Sequence, residues 1–311
     1  MSAFEEMEQD GTIWMNGEYV DWEDAQVHVL THAMHYGTGI FEGVRAYDTE
    51  EGTAIFRWEE HLDRFYDSAK PYDMEIEFSR EELTEATLEV IRRNELDSAY
   101  VRPLAYYGYD SLGVSPGDCP TDVTIAAWPW GAYLGEEALQ NGIEVKVSSW
   151  RKHASSQIPT NAKTTGLYVN SMLAGEEARR HGYEEAIVLN KEGNVAEGPG
   201  ENIFLVRDGE IFTPGLSESI LDGITRDTVI TLAEERGYEV HDNVSISRGE
   251  LHTADELFFT GSAAEVTPIR QVDNVEIGDG GRGPVTEELQ SAFFDLVERR
   301  TEDHDDWFTY V

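Results

Sequence analysis

Glu197-Gly198-Pro199-Gly200-Glu201-Asn202 is a glycine-rich turn, and the residues after it decide the fold. A dinucleotide-binding loop of this kind opens a helix, whereas residues 202–206 are apolar and aromatic and read as a strand. That excludes the dinucleotide fold. Outward from it, Arg207-Asp208-Gly209 turns this strand into another over 210–213, and further strands are predicted over 143–147, 186–189 and 257–260. Helices are predicted over 169–181 and 227–236, each closed by a glycine (Gly182, Gly237), and over 287–300.

The preceding half reads as mixed too. Asn16-Gly17 joins strands at 12–15 and 18–20, and a second hairpin pairs 43–47 with 53–57. Leu83, Ala86, Val90 and Ile91 give 82–93 a helical face, followed by strands at 100–104 and 123–127. The aromatic, glycine-laden segment 128–137 suits a hinge better than an element. These features predict an α+β protein of two domains, 1–127 and 138–311, with 128–137 as the interdomain loop.

The chain has 311 residues, 62 acidic against 23 basic, a formal net charge of −39, and yet is 40% apolar and 11% aromatic. The charge therefore coats a folded protein. Such a surface repels phosphate backbones and anionic lipid, so neither nucleic acid nor membrane is an expected partner. Lysine is scarce, with only Lys70, Lys146, Lys152, Lys163 and Lys191, a balance resembling proteins of salt-loving organisms. Cys119 stands alone, no apolar run reaches the ~18 residues of a membrane helix, and the acidic N-terminus is no secretory signal. A cytoplasmic location is expected.

Two chemistries find no support: G-x-x-x-x-G-K-[ST] and C-x-x-C are both missing. His28, His32 and His35 have helical spacing that could ligate zinc, but no H-E-x-x-H glutamate accompanies them and Gly37 ends any helix. Hydrogen-bonded histidines at a packed turn are the better reading, and no metal is expected. Lys163 is more informative. It lies among small residues in Pro159-Thr160-Asn161-Ala162-Lys163-Thr164-Thr165-Gly166, where a partly dry pocket would favour the neutral amine and ready it as a Schiff-base nucleophile. Gly223-Ile224-Thr225-Arg226 precedes a helix and could receive a phosphate; Gly261-Ser262-Ala263-Ala264 is a second turn with exposed donors. Taken singly, each reads equally as a cap, a loop or a surface residue.

Together with Tyr36-Gly37-Thr38-Gly39-Ile40-Phe41-Glu42-Gly43, Tyr100-Val101-Arg102-Pro103 and Pro129-Trp130-Gly131-Ala132-Tyr133-Leu134-Gly135, the set resembles the branched-chain amino acid aminotransferases. These are class IV pyridoxal-phosphate enzymes of fold type IV, the D-amino acid aminotransferase-like fold, with the cofactor in the interdomain cleft. The resemblance implies that Lys163 binds pyridoxal 5'-phosphate covalently, Glu197 pairs with its ring nitrogen and Tyr168 with its phenolic oxygen. It implies a phosphate site of Arg64, Ile224, Thr225 and Ser262, although the family more often has Thr at the last position.

By the same likeness, the α-carboxylate meets Ser262, Ala263 and Tyr100. Phe41, Trp130, Tyr133 and Tyr168 wall an apolar pocket, and Arg102 with Tyr36 and Tyr133 receives the distal carboxylate of glutamate. The implied reaction is transamination between L-leucine, L-isoleucine or L-valine and 2-oxoglutarate in a homodimer or larger homo-oligomer, with Tyr36 and residues 108–120 reaching the neighbouring site. A D-amino acid or (R)-amine transaminase and aminodeoxychorismate lyase share Lys163 and Glu197 and are the alternatives within the fold. A binding protein that kept the architecture without the chemistry is the alternative outside it.

Overall fold

Pro103 sits inside the strand Ala99–Tyr107 and explains how the first sheet is built. Proline has no N–H to give a neighbouring strand. Opposite it the adjoining chain breaks into two strands, Gly39–Phe41 paired to residues 104–106 and Val44–Thr49 paired to residues 99–101. Glu42 lies in the gap, its amide donating to the Pro103 carbonyl (2.9 Å).

The computed structural model describes residues 11–131 and 135–311. These divide into two compact units. The first holds the described residues up to Gly131 together with Ala162–Leu167 and Val297–Val311; the second holds the described residues of Ala132–Asn161 and Tyr168–Leu296. Two segments beyond residue 137, one of them carrying Lys163, therefore pack with the N-terminal part of the chain.

Among the described residues, the first unit carries an eight-stranded antiparallel sheet in the order Phe308–Tyr310, Gly52–Phe56, Val44–Thr49, Ala99–Tyr107, Thr121–Trp128, Thr12–Met15, Glu18–Asp21, with Gly39–Phe41 also beside Ala99–Tyr107. Helix Arg80–Arg93 starts on a capping box, Ser79 accepting from the Glu82 amide while Glu82 accepts from the Ser79 amide. Helix Trp58–Ala69 buries Trp58, His61, Leu62, Phe65, Ser68 and Ala69, a single face at three- and four-residue spacing. Burial of Leu62 and Phe65 is worth about 1.5–3 kcal/mol each. The same face brings His61 and Arg64 inward.

The second unit carries a nine-stranded mixed sheet, counted over the described residues, in the order Val195–Glu197, Glu185–Leu189, Ile143–Arg151, Glu265–Val272, Glu256–Gly261, Asn202–Arg207, Glu210–Pro214, Val240–Val244, with Val275–Glu276 beside Glu265–Val272. Ile143–Arg151 runs parallel to both its neighbours. Such pairs need crossovers, and helix Tyr168–Arg180 lies between Ile143–Arg151 and Glu185–Leu189 in sequence. Asn202–Arg207 and Glu210–Pro214 form the predicted hairpin. The strand reading of residues 202–206 thus places Glu197 and Asn202 at the ends of two strands of one sheet.

Candidate active site

In the first unit, Lys163 is clamped by its backbone. Its amide donates to Ser68 Oγ (2.9 Å) and its carbonyl accepts from the Phe41 amide (3.0 Å). Thr165 Oγ1 donates to the Gly37 carbonyl (2.9 Å), and a Cβ on Gly37, whose φ is 63°, would stand 2.9 Å from Gly166 Cα. Only glycine fits that turn and that approach. The clamp sets the side chain inward, with Nζ 4.9 Å from the Phe41 ring centre.

Burial, with the Arg64 guanidinium beside it, lowers the Lys163 amine from its ordinary 10.5 to about 8, although Glu42 pulls the other way. Glu42 is 1% exposed. It accepts from Arg64 Nε (2.7 Å) and Nη2 (2.8 Å) and contacts His61 Nδ1 (2.7 Å). Burial alone would raise this carboxyl; Arg64 and His61 reverse that and hold it well below the usual carboxylate range. Burial in turn lowers His61. The bidentate pair fixes the plane of Arg64 at a position 22 residues from Glu42 in the chain.

Tyr100 and Arg102 form a second group in this unit. Arg102 Nη2 donates to Tyr100 Oη (3.3 Å), and the guanidinium lies over Phe41 (4.8 Å) and Tyr100 (5.3 Å). Its buried Nε finds no partner among the described residues. Tyr100 packs on Trp130 with ring centres 4.4 Å apart, and Arg45 holds the Trp130 carbonyl (3.0 Å). A Cβ at Gly43 would stand 2.0 Å from Tyr100 Oη, so the glycine makes room for the hydroxyl. Tyr36 is exposed and donates to the Leu112 carbonyl (3.0 Å). The structure thus gathers Phe41, Arg64, Tyr100, Arg102, Trp130 and Lys163 in one unit; Tyr133 lies outside the described residues.

The other predicted residues belong to the second unit. Glu197 is 4% exposed and accepts from Asn202 Nδ2 (3.1 Å), the Leu221 amide (2.9 Å) and Lys152 Nζ. Asn202 has room because residue 223 is glycine: a Cβ there would stand 1.9 Å from Asn202 Oδ1. Gly223 also precedes helix Ile224–Glu235 and gives it no side-chain cap of its own, which places the Ile224 and Thr225 amides in the first turn of a helix, where an anion is favoured. Arg226 turns away, donating to the Pro214 carbonyl (3.2 Å) and to the Asp242 carbonyl. Tyr168 begins helix Tyr168–Arg180, and Ser262 and Ala263 form the turn between Glu256–Gly261 and Glu265–Val272.

Each of the three histidines has a hydrogen-bond partner. The helix there is only His32–Tyr36 and omits His28. His32 contacts Thr38 Oγ1 (2.8 Å) and the Gly113 carbonyl (3.0 Å), His35 the Val29 carbonyl (3.0 Å), and His28 accepts from the Leu30 amide (3.2 Å). Sequence reasoning missed Glu42, His61, Lys152 and Asn202. Glu42 stands inside a motif already quoted, next to Phe41, and His61 lies three residues before Arg64; only the fold shows that they meet.

The chain is similar to known proteins over nearly its whole length. The amino-transferase class IV family matches residues 39–272. The branched-chain-amino-acid aminotransferase of Pseudomonas aeruginosa is 54% identical over 304 residues, 98% of each chain. The crystal structure of the Escherichia coli branched-chain amino acid aminotransferase superposes with a TM-score of 0.94 at 52% identity, covering 96% of this chain and 98% of that one. The branched-chain amino acid aminotransferase of Thermobaculum terrenum, in its PLP-form, gives 0.90 at 36% identity, covering 97% of this chain and 99% of that one. With a family match over most of its length and relatives above half identity across nearly all of it, the chain belongs to the class IV aminotransferases.

Proposed function

We propose that the protein is a pyridoxal-phosphate-dependent branched-chain amino acid aminotransferase that moves the amino group of L-leucine, L-isoleucine or L-valine to 2-oxoglutarate. The single observation that carries the chemistry is the backbone clamp that sets the Lys163 amine inward, its Nζ 4.9 Å from the Phe41 ring centre, where burial favours the neutral amine. The donor set fits the cofactor: one such amine, a guanidinium, a helix N-terminus and a buried carboxylate. Pyridoxal phosphate, when bound, supplies an aldehyde carbon that condenses with amines and a protonated ring that takes up the electron pair left by Cα–H cleavage.

The chain supplies the rest. Arg64, Ile224, Thr225 and Ser262 hold the phosphate, Glu197 the ring nitrogen and Tyr168 the phenolic oxygen. Lys163 Nζ would take the proton from Cα of the amino donor and, in the second half-reaction, deliver one to Cα of the acceptor, as an amine near 8 can do in both directions. Tyr100 and the Ser262 and Ala263 amides orient the α-carboxylate. Phe41, Trp130, Tyr133 and Tyr168 shed water around a branched side chain. Arg102, with Tyr36 and Tyr133, takes the distal carboxylate of the second substrate, and its unpartnered Nε supports that role.

The active form is a homodimer or larger homo-oligomer. Val29, Met34 and Val114 are 66%, 61% and 81% exposed, and the segments bearing them are joined by the Tyr36–Leu112 bond, so a second copy has an apolar face to cover. Among the described residues no helix is long and apolar enough to cross a membrane, and the acidic surface suits a cytoplasm rich in salt. A coupled assay decides the substrate class. Turnover of L-leucine with 2-oxoglutarate, at least about a hundredfold above D-alanine, is expected; D-alanine as the better donor would overturn the assignment.

A further inference from the structure

The partners of Glu197 are divided between its two oxygens. Oε2 accepts from Asn202 Nδ2 (3.1 Å) and the Leu221 amide (2.9 Å), and Lys152 Nζ contacts Oε1. A carboxylate offers about four acceptor positions, so these three donors leave one, on Oε1. A further donor must share that oxygen with the Lys152 ammonium.

The pair is built into the second unit. The two side chains are 13% and 5% exposed. Lys152 directly follows strand Ile143–Arg151, and its amide donates to the Leu189 carbonyl (2.9 Å), which fixes where the side chain leaves the sheet. It is one of five lysines in a chain of 311 residues. A chain so poor in lysine places one of them against its buried carboxylate.

We propose that Lys152 is a positioning residue that acts through Glu197 by charge: it neutralises the buried carboxylate and limits how tightly Oε1 holds a protonated ring nitrogen. This rests on the assignment of Glu197 to the ring nitrogen made above. Aim is supplied by other groups, because Asn202 and Leu221 pin Oε2 without Lys152, and Asn202 is itself tied to the Leu221 carbonyl (3.0 Å). Without the ammonium the carboxylate keeps its direction and loses its counter-charge, so a cationic ligand meets a stronger partner.

The test uses the full chain freed of cofactor and measures, by calorimetry, dissociation constants for pyridoxal phosphate and for its 1-deaza analogue, which has C–H in place of the ring nitrogen. Lys152→Met is expected to bind pyridoxal phosphate about tenfold more tightly, equivalent to one unit in ring acidity. The same variant should hold the deaza analogue within about twofold of wild type, and Lys152→Arg, which keeps the charge, should leave both constants within about twofold. Equal changes for both ligands in Lys152→Met would mark a merely structural lysine and overturn the proposal, as would no change in either. If Lys152→Met does not fold, the neutral pair in Glu197→Gln/Lys152→Met should restore folding, and its failure to do so overturns the proposal. Wild-type protein that does not favour pyridoxal phosphate over the deaza analogue defeats the reading of Glu197 and this inference with it; a wild-type preference unaltered by Lys152→Met defeats the inference alone.

Discussion

At Lys163 burial and the Arg64 guanidinium favour the neutral amine, and Glu42, paired to Arg64, opposes them. Glu42→Gln removes the charge that Arg64 pairs with and turns one of the two acceptor oxygens that hold Arg64 and His61 into a donor. Because it breaks a buried ion pair, it should lower stability by about 3–5 kcal/mol at neutral pH, measured by urea unfolding. The sign with pH follows from Glu42 being held low in the folded state: its stabilisation is complete above its unfolded value near 4.5 and is lost as the pH falls below it. The gap between wild type and variant should therefore narrow in acid, and a constant gap would contradict the ion pair. Lys163 was legible from its own surroundings, since a lysine among small residues in a chain nearly without lysine stands out. Glu42 was not, because one carboxylate among 62 acidic residues gives no local sign of the guanidinium it meets across the fold.

At the scale of elements, the start of helix Ile224–Glu235 and the end of strand Val195–Glu197 are tied through Asn202, which needs Gly223 beside it. Gly223→Ala should displace Asn202, costing about 1–3 kcal/mol by thermal unfolding and weakening uptake of pyridoxal phosphate. Retained stability with unchanged uptake would show that Asn202 is not held this way. Elements with their own signals were legible: Asn16-Gly17 and Asp208-Gly209 are hairpin turns in the structure, and the predicted helix over 82–93 is Arg80–Arg93, extended by its capping box. Helix Trp58–Ala69 was not. It starts from Arg57 in a left-handed conformation with no side-chain cap, so no start signal precedes its apolar positions. Strand Phe308–Tyr310 was equally silent, being short and completed only by its pairing with Gly52–Phe56.

For the whole molecule, a net charge of −39 makes self-repulsion a term that salt should relieve. Raising potassium chloride from about 0.1 M to about 2 M shrinks the screening length from about 10 Å to below about 3 Å, and the thermal midpoint should climb by at least about 5 °C. A midpoint that falls or stays level would contradict the reading of the charge as habitat. The α+β class was visible in the alternation of strand and helix signals, but the order of strands was not. In the second sheet Ile143–Arg151 lies beside Glu265–Val272, a partner more than a hundred residues away that no local pattern announces. One of the five lysines carries the chemistry of the entire chain. Borohydride reduction of the protein saturated with pyridoxal phosphate, followed by peptide mass mapping, identifies it directly. One phosphopyridoxyl group on the peptide containing Lys163 is the expected result, and an adduct on Lys70, Lys146, Lys152 or Lys191, or none at all, would contradict the account.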